Sequence, residues 1–212
     1  MTTNGFLPLA ATFALAACAP VVRPSPPVAV TVEAPDPTSW RTIASEADTD
    51  RIARVDEAWT AALAEARRGS RAAIAQEGEL LDPKGALPRA APPPGPYRCR
   101  VIKLGRQGRG RAFQSFKPFF CHVQAEGALL SLVKQSGSQR PGGWLYADRD
   151  ERMIFLGTLA TAPDREPGAY GERRDADAVG VVERVAPFRW RLVFPWPQGD
   201  SKLDVIELVP AT

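Results

Sequence analysis

From residue 97 to 209 the chain is written in short apolar runs with a two-residue beat, separated by Gly, Pro and Asp, with no helical period between them. The runs fall at 97–104, 116–124, 128–135, 143–147, 152–160, 178–186, 188–195 and 203–209. Consecutive strands with short connections and no crossover helix pair with their neighbours, so this half predicts an antiparallel meander. Closing the meander on itself removes its unpaired edges. The expectation is a small closed or nearly closed β-barrel of about eight strands.

Before the strands, residues 40–81 carry a helical period: Ile52, Val55, Trp59, Leu63 and Ala66 recur at spacings of three and four. Gly69 supplies a stop, Ser70 an N-cap, and Asp82-Pro83 a second stop, which reads as two helices in a hairpin. Their apolar stripe needs the strands as a partner. The fold class is therefore α+β, a helical hairpin packed on the antiparallel meander, with residues 40–212 as one folding unit. Within it, 40–87 is the hairpin, 88–96 a proline-rich connector and 97–212 the β domain.

Residues 6–17 are apolar and uncharged, the length of a signal-peptide core and too short for a membrane span. Leu15-Ala16-Ala17-Cys18 closes the run in the pattern of bacterial lipoprotein signals. This predicts cleavage after residue 17 and acylation of Cys18, which anchors the product to a membrane. Residues 18–39 hold Pro20, Pro24, Pro26, Pro27, Pro35 and Pro37 and read as an extended tether. The expected address is the periplasm-facing cell envelope. Ala19, in place of an inner-membrane retention Asp, favours the outer membrane over the inner.

The two remaining thiols, Cys99 and Cys121, are the number that one disulfide requires, and an exported chain meets an oxidising compartment. Directly opposed half-cystines would put Val101 against Phe119 and Arg98 against His122, with Lys103 facing Lys117 and Pro118 inside a strand. Both last features are unfavourable unless the hairpin bulges there or the bridge joins the strands less simply. Zinc would need about four ligands, and His122 is the sole histidine. No metal site and no cofactor are predicted.

Catalytic constellations are scarce. Cys121 and His122 are adjacent on a strand and point to opposite faces, which removes a Cys-His dyad. Ser131 and Lys134 match S-x-x-K, yet that motif needs a helix to bring both onto one face. The carboxylates Asp148, Asp150, Glu151, Asp175 and Asp177 lie among arginines and read as solvated ion pairs. Glu183, Asp204 and Glu207 sit within apolar strands, where one could be buried with Arg184 or Arg191, and a perturbed pKa there would mark a site. No catalytic residue is assigned.

The most suggestive element is the loop from Ser136 to Gly143, whose glycines let backbone amides converge while Lys134 and Arg140 offer positive charge. Lys134, Ser136, Ser138, Gln139 and Arg140 are the candidate ligand-binding residues. The same stretch also suits a plain wide hairpin turn. Phe188, Trp190, Leu192 and Phe194 alternate on one face and read as barrel core. The balance of 27 basic and 24 acidic residues is spread along the chain and leaves no nucleic-acid footprint.

Several stretches resemble an uncharacterised family of small bacterial secreted proteins and lipoproteins known only as a domain of unknown function. They are Ala44-Ser45-Glu46-Ala47-Asp48, Ala58-Trp59, the run from Pro93 through Cys99 to Gly105, Gly137 to Gly142, Arg152 to Gly157, Arg189 to Val193, and Leu203 to Pro210. The resemblance spans the chain from about Trp40 to the end, implies the domain's limits and transfers no activity. The resulting expectation is an envelope-anchored, non-enzymatic binding or interaction lipoprotein. Its partners would be the membrane, through its lipid, and an envelope protein, a peptide or a glycan. The alternative is a hydrolase acting on a cell-wall or envelope substrate through residues 134–143.

Overall fold

In the computed structural model, the described residues are 1, 39–108, 110–135, 139–161 and 167–211. Cys18 and all of the predicted signal and tether except Met1 and Ser39 lie outside them. The ordered elements are helices α1 (Trp40–Ile43), α2 (Glu46–Ala53) and α3 (Val55–Gln76), then a 3-10 turn (Gly78–Leu81). Nine strands follow: β1 (Gly95–Leu104), β2 (Phe113–Ser115), β3 (Phe119–Glu126), β4 (Leu129–Lys134), β5 (Arg140–Arg149), β6 (Arg152–Ala160), β7 (Asp177–Ala186), β8 (Arg189–Pro195) and β9 (Leu203–Pro210). All ladders are antiparallel, and β1 pairs with β9 on one side and with β2 and β3 on the other. Eight strands thus close a barrel, and β2 is an extra short piece.

The extra strand and the disulfide have one cause. Ser115 pairs with Ile102 while Phe119 pairs with Cys99, so three residues, Phe116, Lys117 and Pro118, pass opposite only Arg100 and Val101. Proline cannot donate to a ladder, and the strand bulges where Pro118 stands. Cys121 consequently faces Tyr97 rather than Cys99, and the two half-cystines are diagonal neighbours with Cα atoms 6.0 Å apart. The predicted bridge is present, but directly opposed pairing is corrected, and with it the Val101–Phe119 and Arg98–His122 pairs. Lys103 is spared a like charge, because its partners are Gln114 and Asp204.

Inside the barrel, Tyr97, Cys99, Cys121, Leu145, Phe155, Trp190 and Leu208 form a closed core, with edge-to-face contacts between Tyr97 and Trp190 and between Phe155 and Phe194. Outside it, α3 lays Trp59, Leu63 and Ala66 on Ile102, Leu104, Leu203 and Val205 of β1 and β9. Ala58, Ala62 and Ala66 are fully buried and let the helix come close. A side chain on Gly105, at φ +64°, would meet the Ala62 backbone. Trp40 and Ile52 cover Ile154, Leu156, Val179 and Val181 on the outer face of β6 and β7. Strands buried on both faces read as continuous apolar runs, which is how 153–156 and 179–182 read in the sequence.

Two details differ from expectation. The helix does not turn back at Gly69; it continues to Gln76 with a kink at Ser70 (φ −138°, ψ 30°), because the packing of Ile74 and Leu81 holds both halves on the barrel. Phe188 is not core: it falls in the β7–β8 turn and is 75 % exposed.

Arg191 of β8 fastens the helical layer to the barrel. Its side chain is wholly buried on the outer face, 2.7 Å from Glu183 of β7, and it donates to the carbonyls of Leu80 (3.0 Å) and Asp82 (2.6 Å) while lying over the Trp59 ring. It satisfies the carbonyls that end the 3-10 turn. Removing one partner of a buried pair strands the other, so Arg191→Ala is expected to cost about 3–5 kcal/mol in urea unfolding. A loss under about 1 kcal/mol would mean that water replaces the guanidinium freely. The disulfide spans 22 residues, and replacing both half-cystines by Ala is expected to cost about 3 kcal/mol in the chain-entropy picture, read as a lower melting temperature than that of the oxidised protein.

Candidate functional site

Residues at one end of β1 and of β5 to β9 leave a cavity of about 130 Å³ in the barrel mouth. Its floor is apolar: Val101, Pro141, Leu159, Ala178, Phe194 and Ile206. The space exists because the next inward residues are small. Gly143 of β5 faces Gly157 of β6, and Gly157 faces Ala178 of β7. A Cβ on Gly157 would lie 2.2 Å from the Gly142 carbonyl oxygen, so only glycine permits this approach.

Polar groups ring the cavity. Gln139, Gln198, Asp177 and Asp204 all line it, as does Arg51 of α2, which is held by Asp48 at 3.0 Å. Asp204 is the distinctive one. Glu183 and Glu207, on alternate outward positions, are clamped by arginines: Glu183 by Arg191, and Glu207 by Arg100 at 2.8 Å and Arg189 at 2.6 Å. Asp204 lines the cavity instead, accepts from the Ser201 hydroxyl, and has Lys103 only at 3.9 Å, since that ammonium sits 2.7 Å from Asp200. Burial pushes its carboxyl above the ordinary carboxylate range, with Lys103 and Ser201 opposing. Desolvation also raises Asp177, against the Gly171 amide that donates to it.

The sequence-predicted residues fall into two groups. Lys134, at the end of β4, reaches the Gln139 carbonyl at 3.3 Å and lies over the Phe119 ring at 4.2 Å, while Arg140 opens β5. Lys134, Gln139 and Arg140 therefore meet at the barrel mouth, and Gln139 enters the cavity lining. Burial, then the nearby Arg140 charge, lowers the Lys134 ammonium from its usual value. Ser136 and Ser138 lie outside the described residues. The glycine cradle is corrected in part: Gly142 and Gly143 are ladder residues of β5, paired with Thr158 and Gly157; a side chain on Gly143 would strike the β6 backbone and one on Gly142 would strike Pro167.

Other expectations sort as follows. Cys121 is bonded in the core, and His122 is its half-buried neighbour on the strand. Ser131 is tied to Glu126 at 2.9 Å. Asp148 is not a solvated ion pair. It is buried, and although desolvation works to raise its pKa, the Trp40 indole donating at 2.7 Å, with Arg152 and Arg41, holds it below the usual range. Asp175 does pair with exposed Arg173. Among the described residues, no group of three His, Cys, Asp or Glu side chains could hold a metal ion. Gln198 of the β8–β9 turn carries no signal in sequence; the β7–β8 register sets that turn beside the start of β7, where its amide donates to the Arg174 carbonyl.

Asp204 sets a testable pH dependence. A carboxyl whose folded pKa exceeds its unfolded value binds its proton more tightly in the folded state, so stability falls as pH rises through the window between the two. Asp204→Asn removes that penalty. The variant is expected to melt higher than the wild type at neutral pH, the gain disappearing below the ordinary Asp value of about 3.9. Equal melting curves at neutral pH would show that Lys103 and Ser201 fully compensate the buried charge.

Comparison with curated proteins and with solved structures finds no match to this chain. A family model does match, over residues 40–208, from the first turn of α1 to the last buried residue of β9. That span contains the barrel, the helices on it and every residue of the mouth. The chain belongs to the family described as a domain of unknown function, DUF4893.

Proposed function

We propose that the protein is an envelope-anchored, non-enzymatic binding lipoprotein that holds an apolar ligand in the mouth of its barrel. The observation that carries this reading is the cavity itself, an apolar floor with a few convergent polar groups at the open end of a rigid, disulfide-stapled barrel. Such a floor supplies affinity by burying apolar surface, while Asp204, Gln139 and Gln198 fix orientation. The anchor is the acylated Cys18 that Leu15-Ala16-Ala17 introduces, and the envelope, outer membrane before inner, is the address.

A second reading has one observation in its favour, the lowered pKa of Lys134, which suits a general base in a hydrolase acting on an envelope substrate. Lys134→Met separates the two readings. The binding reading expects ligand capture to persist in this variant, and hydrolysis of envelope material that vanishes with Lys134 would favour the second.

Two measurements test the proposal. Native mass spectrometry of protein isolated from its own envelope is expected to show a bound small molecule that Ala178→Phe, which fills the floor, excludes without lowering the yield of folded protein. Ligand-free wild type, or equal occupancy in the filled variant, would remove the mouth as the site. Mass analysis of the mature N-terminus is expected to find acyl-modified Cys18; an unmodified start at residue 19 or later would mean simple secretion.

A further inference from the structure

Opposite in chemistry to the barrel mouth is the last stretch of α3. Arg67, Arg68 and Arg71 fall within five residues and all are exposed. Arginines that hold the fold are engaged, Arg100 and Arg189 by Glu207, Arg191 by Glu183 and Arg152 by Asp148, whereas exposed arginines such as Arg98 and Arg111 lie apart from one another along the chain. Among the described residues, these three carry no ion pair or hydrogen bond. Arg67 and Arg71, one turn apart, line a groove of about 260 Å³ with Ile74, Ala75, Leu81 and Pro83, and Asp82 stands at its other side. Gly78, at φ +56°, lets the chain leave the helix there.

A second exposed feature lies close by. Phe188 is 75 % exposed, more than any other large apolar side chain of the folded part. Its neighbour Arg189 donates to the Glu77 carbonyl, next to Gly78 of the groove, so the aromatic and the arginines belong to one region of the surface. The nearby acidic groups are Glu77, already bound by Arg100, together with Glu79 and Asp82. Guanidinium forks match phosphate oxygens in pairs, an apolar floor suits the glycerol and upper acyl carbons, and an exposed aromatic is the usual interfacial anchor.

We propose that this region, Arg67, Arg68 and Arg71 with the Ile74–Leu81 groove and Phe188, docks on the headgroups of an anionic phospholipid bilayer. The contact is independent of what fills the barrel. The lipid on Cys18, as proposed above, would hold the chain at one point, and a basic patch is the kind of second contact that orients a domain on an anionic surface. The occupant is a bilayer rather than an acidic protein because the arginines border an apolar groove, with an exposed aromatic next to Arg189, which reaches Glu77 at the end of α3, as an interface between headgroups and hydrocarbon requires.

The test uses the full unacylated chain and sedimentation with vesicles of phosphatidylcholine, with or without phosphatidylglycerol. The wild type is expected to partition more strongly onto the anionic vesicles, the excess falling with added salt. Arg67→Ala with Arg71→Ala is expected to lose on the order of tenfold or more of that excess, at about fivefold per basic group at the surface. Phe188→Ala should weaken binding to both vesicle types. Arg98→Ala with Arg111→Ala removes the same charge elsewhere and is expected to leave the excess unchanged; an equal loss there would mean net charge alone and overturn the proposal. Unchanged partition of the Arg67/Arg71 variant, with its melting curve intact, would overturn it too. So would displacement of the wild type by inorganic phosphate at matched ionic strength, which would reassign the site to a free anion.

Discussion

A single buried guanidinium joins the two layers of this protein. Arg191 projects from β8 into the seam between barrel and helices, where it answers Glu183, the carbonyls that end the 3-10 turn and the face of Trp59. Each group would be costly if left alone in that seam. Together they fix where the chain leaves the helical layer, and hence where the connector runs. The connector is then secured by Arg184 donating to the Pro88 carbonyl and by the Ala90 amide donating to Asp150. Arg100, held between Glu77 and Glu207, repeats the arrangement one step around the barrel. The helices are thus tied by charge at their C-terminal end and by apolar packing along their length.

This division of labour puts the arginine–glutamate pairs on the outer face of the barrel and leaves Lys103 with Asp200 and Asp204 near its mouth. Glu183 and Glu207 spend their carboxylates on the outer face, whereas Asp204, on the opposite parity of the same kind of strand, lines the cavity with Lys103 only at 3.9 Å. A buried carboxyl with a raised pKa is a liability for stability and an asset for recognition. The small residues beneath it, Gly143, Gly157 and Ala178, point the same way: they let β5, β6 and β7 approach closely, and the cavity floor lies directly above.

The two proposals, a ligand in the mouth and a bilayer on the arginine groove, are compatible because they use different surfaces. The mouth lies at the ends of β5 to β9 that carry Pro141, Leu159 and Phe194, while the arginine groove belongs to α3 and the 3-10 turn.

By itself the sequence determined the class and most of the elements. Two-residue alternation, glycine punctuation and the helical stripe through Trp59, Leu63 and Ala66 are local signals, and they placed the helices and eight of the nine strands. Counting thiols paired Cys99 with Cys121, and strand parity separated His122 from Cys121. Tertiary structure decided what depends on register and closure. Pro118 shifts one ladder by a residue, which no local pattern specifies, and so turns a direct bridge into a diagonal one. The kink at Ser70, in place of a hairpin, follows from the barrel surface under Ile74 and Leu81. Asp148 reads in the chain as a solvated carboxylate among arginines, and Glu183, Asp204 and Glu207 read alike as acids within apolar strands. Only the closed barrel, by sending alternate residues to a packed seam or to an open mouth, makes three of them structural and leaves Asp204 at the candidate site.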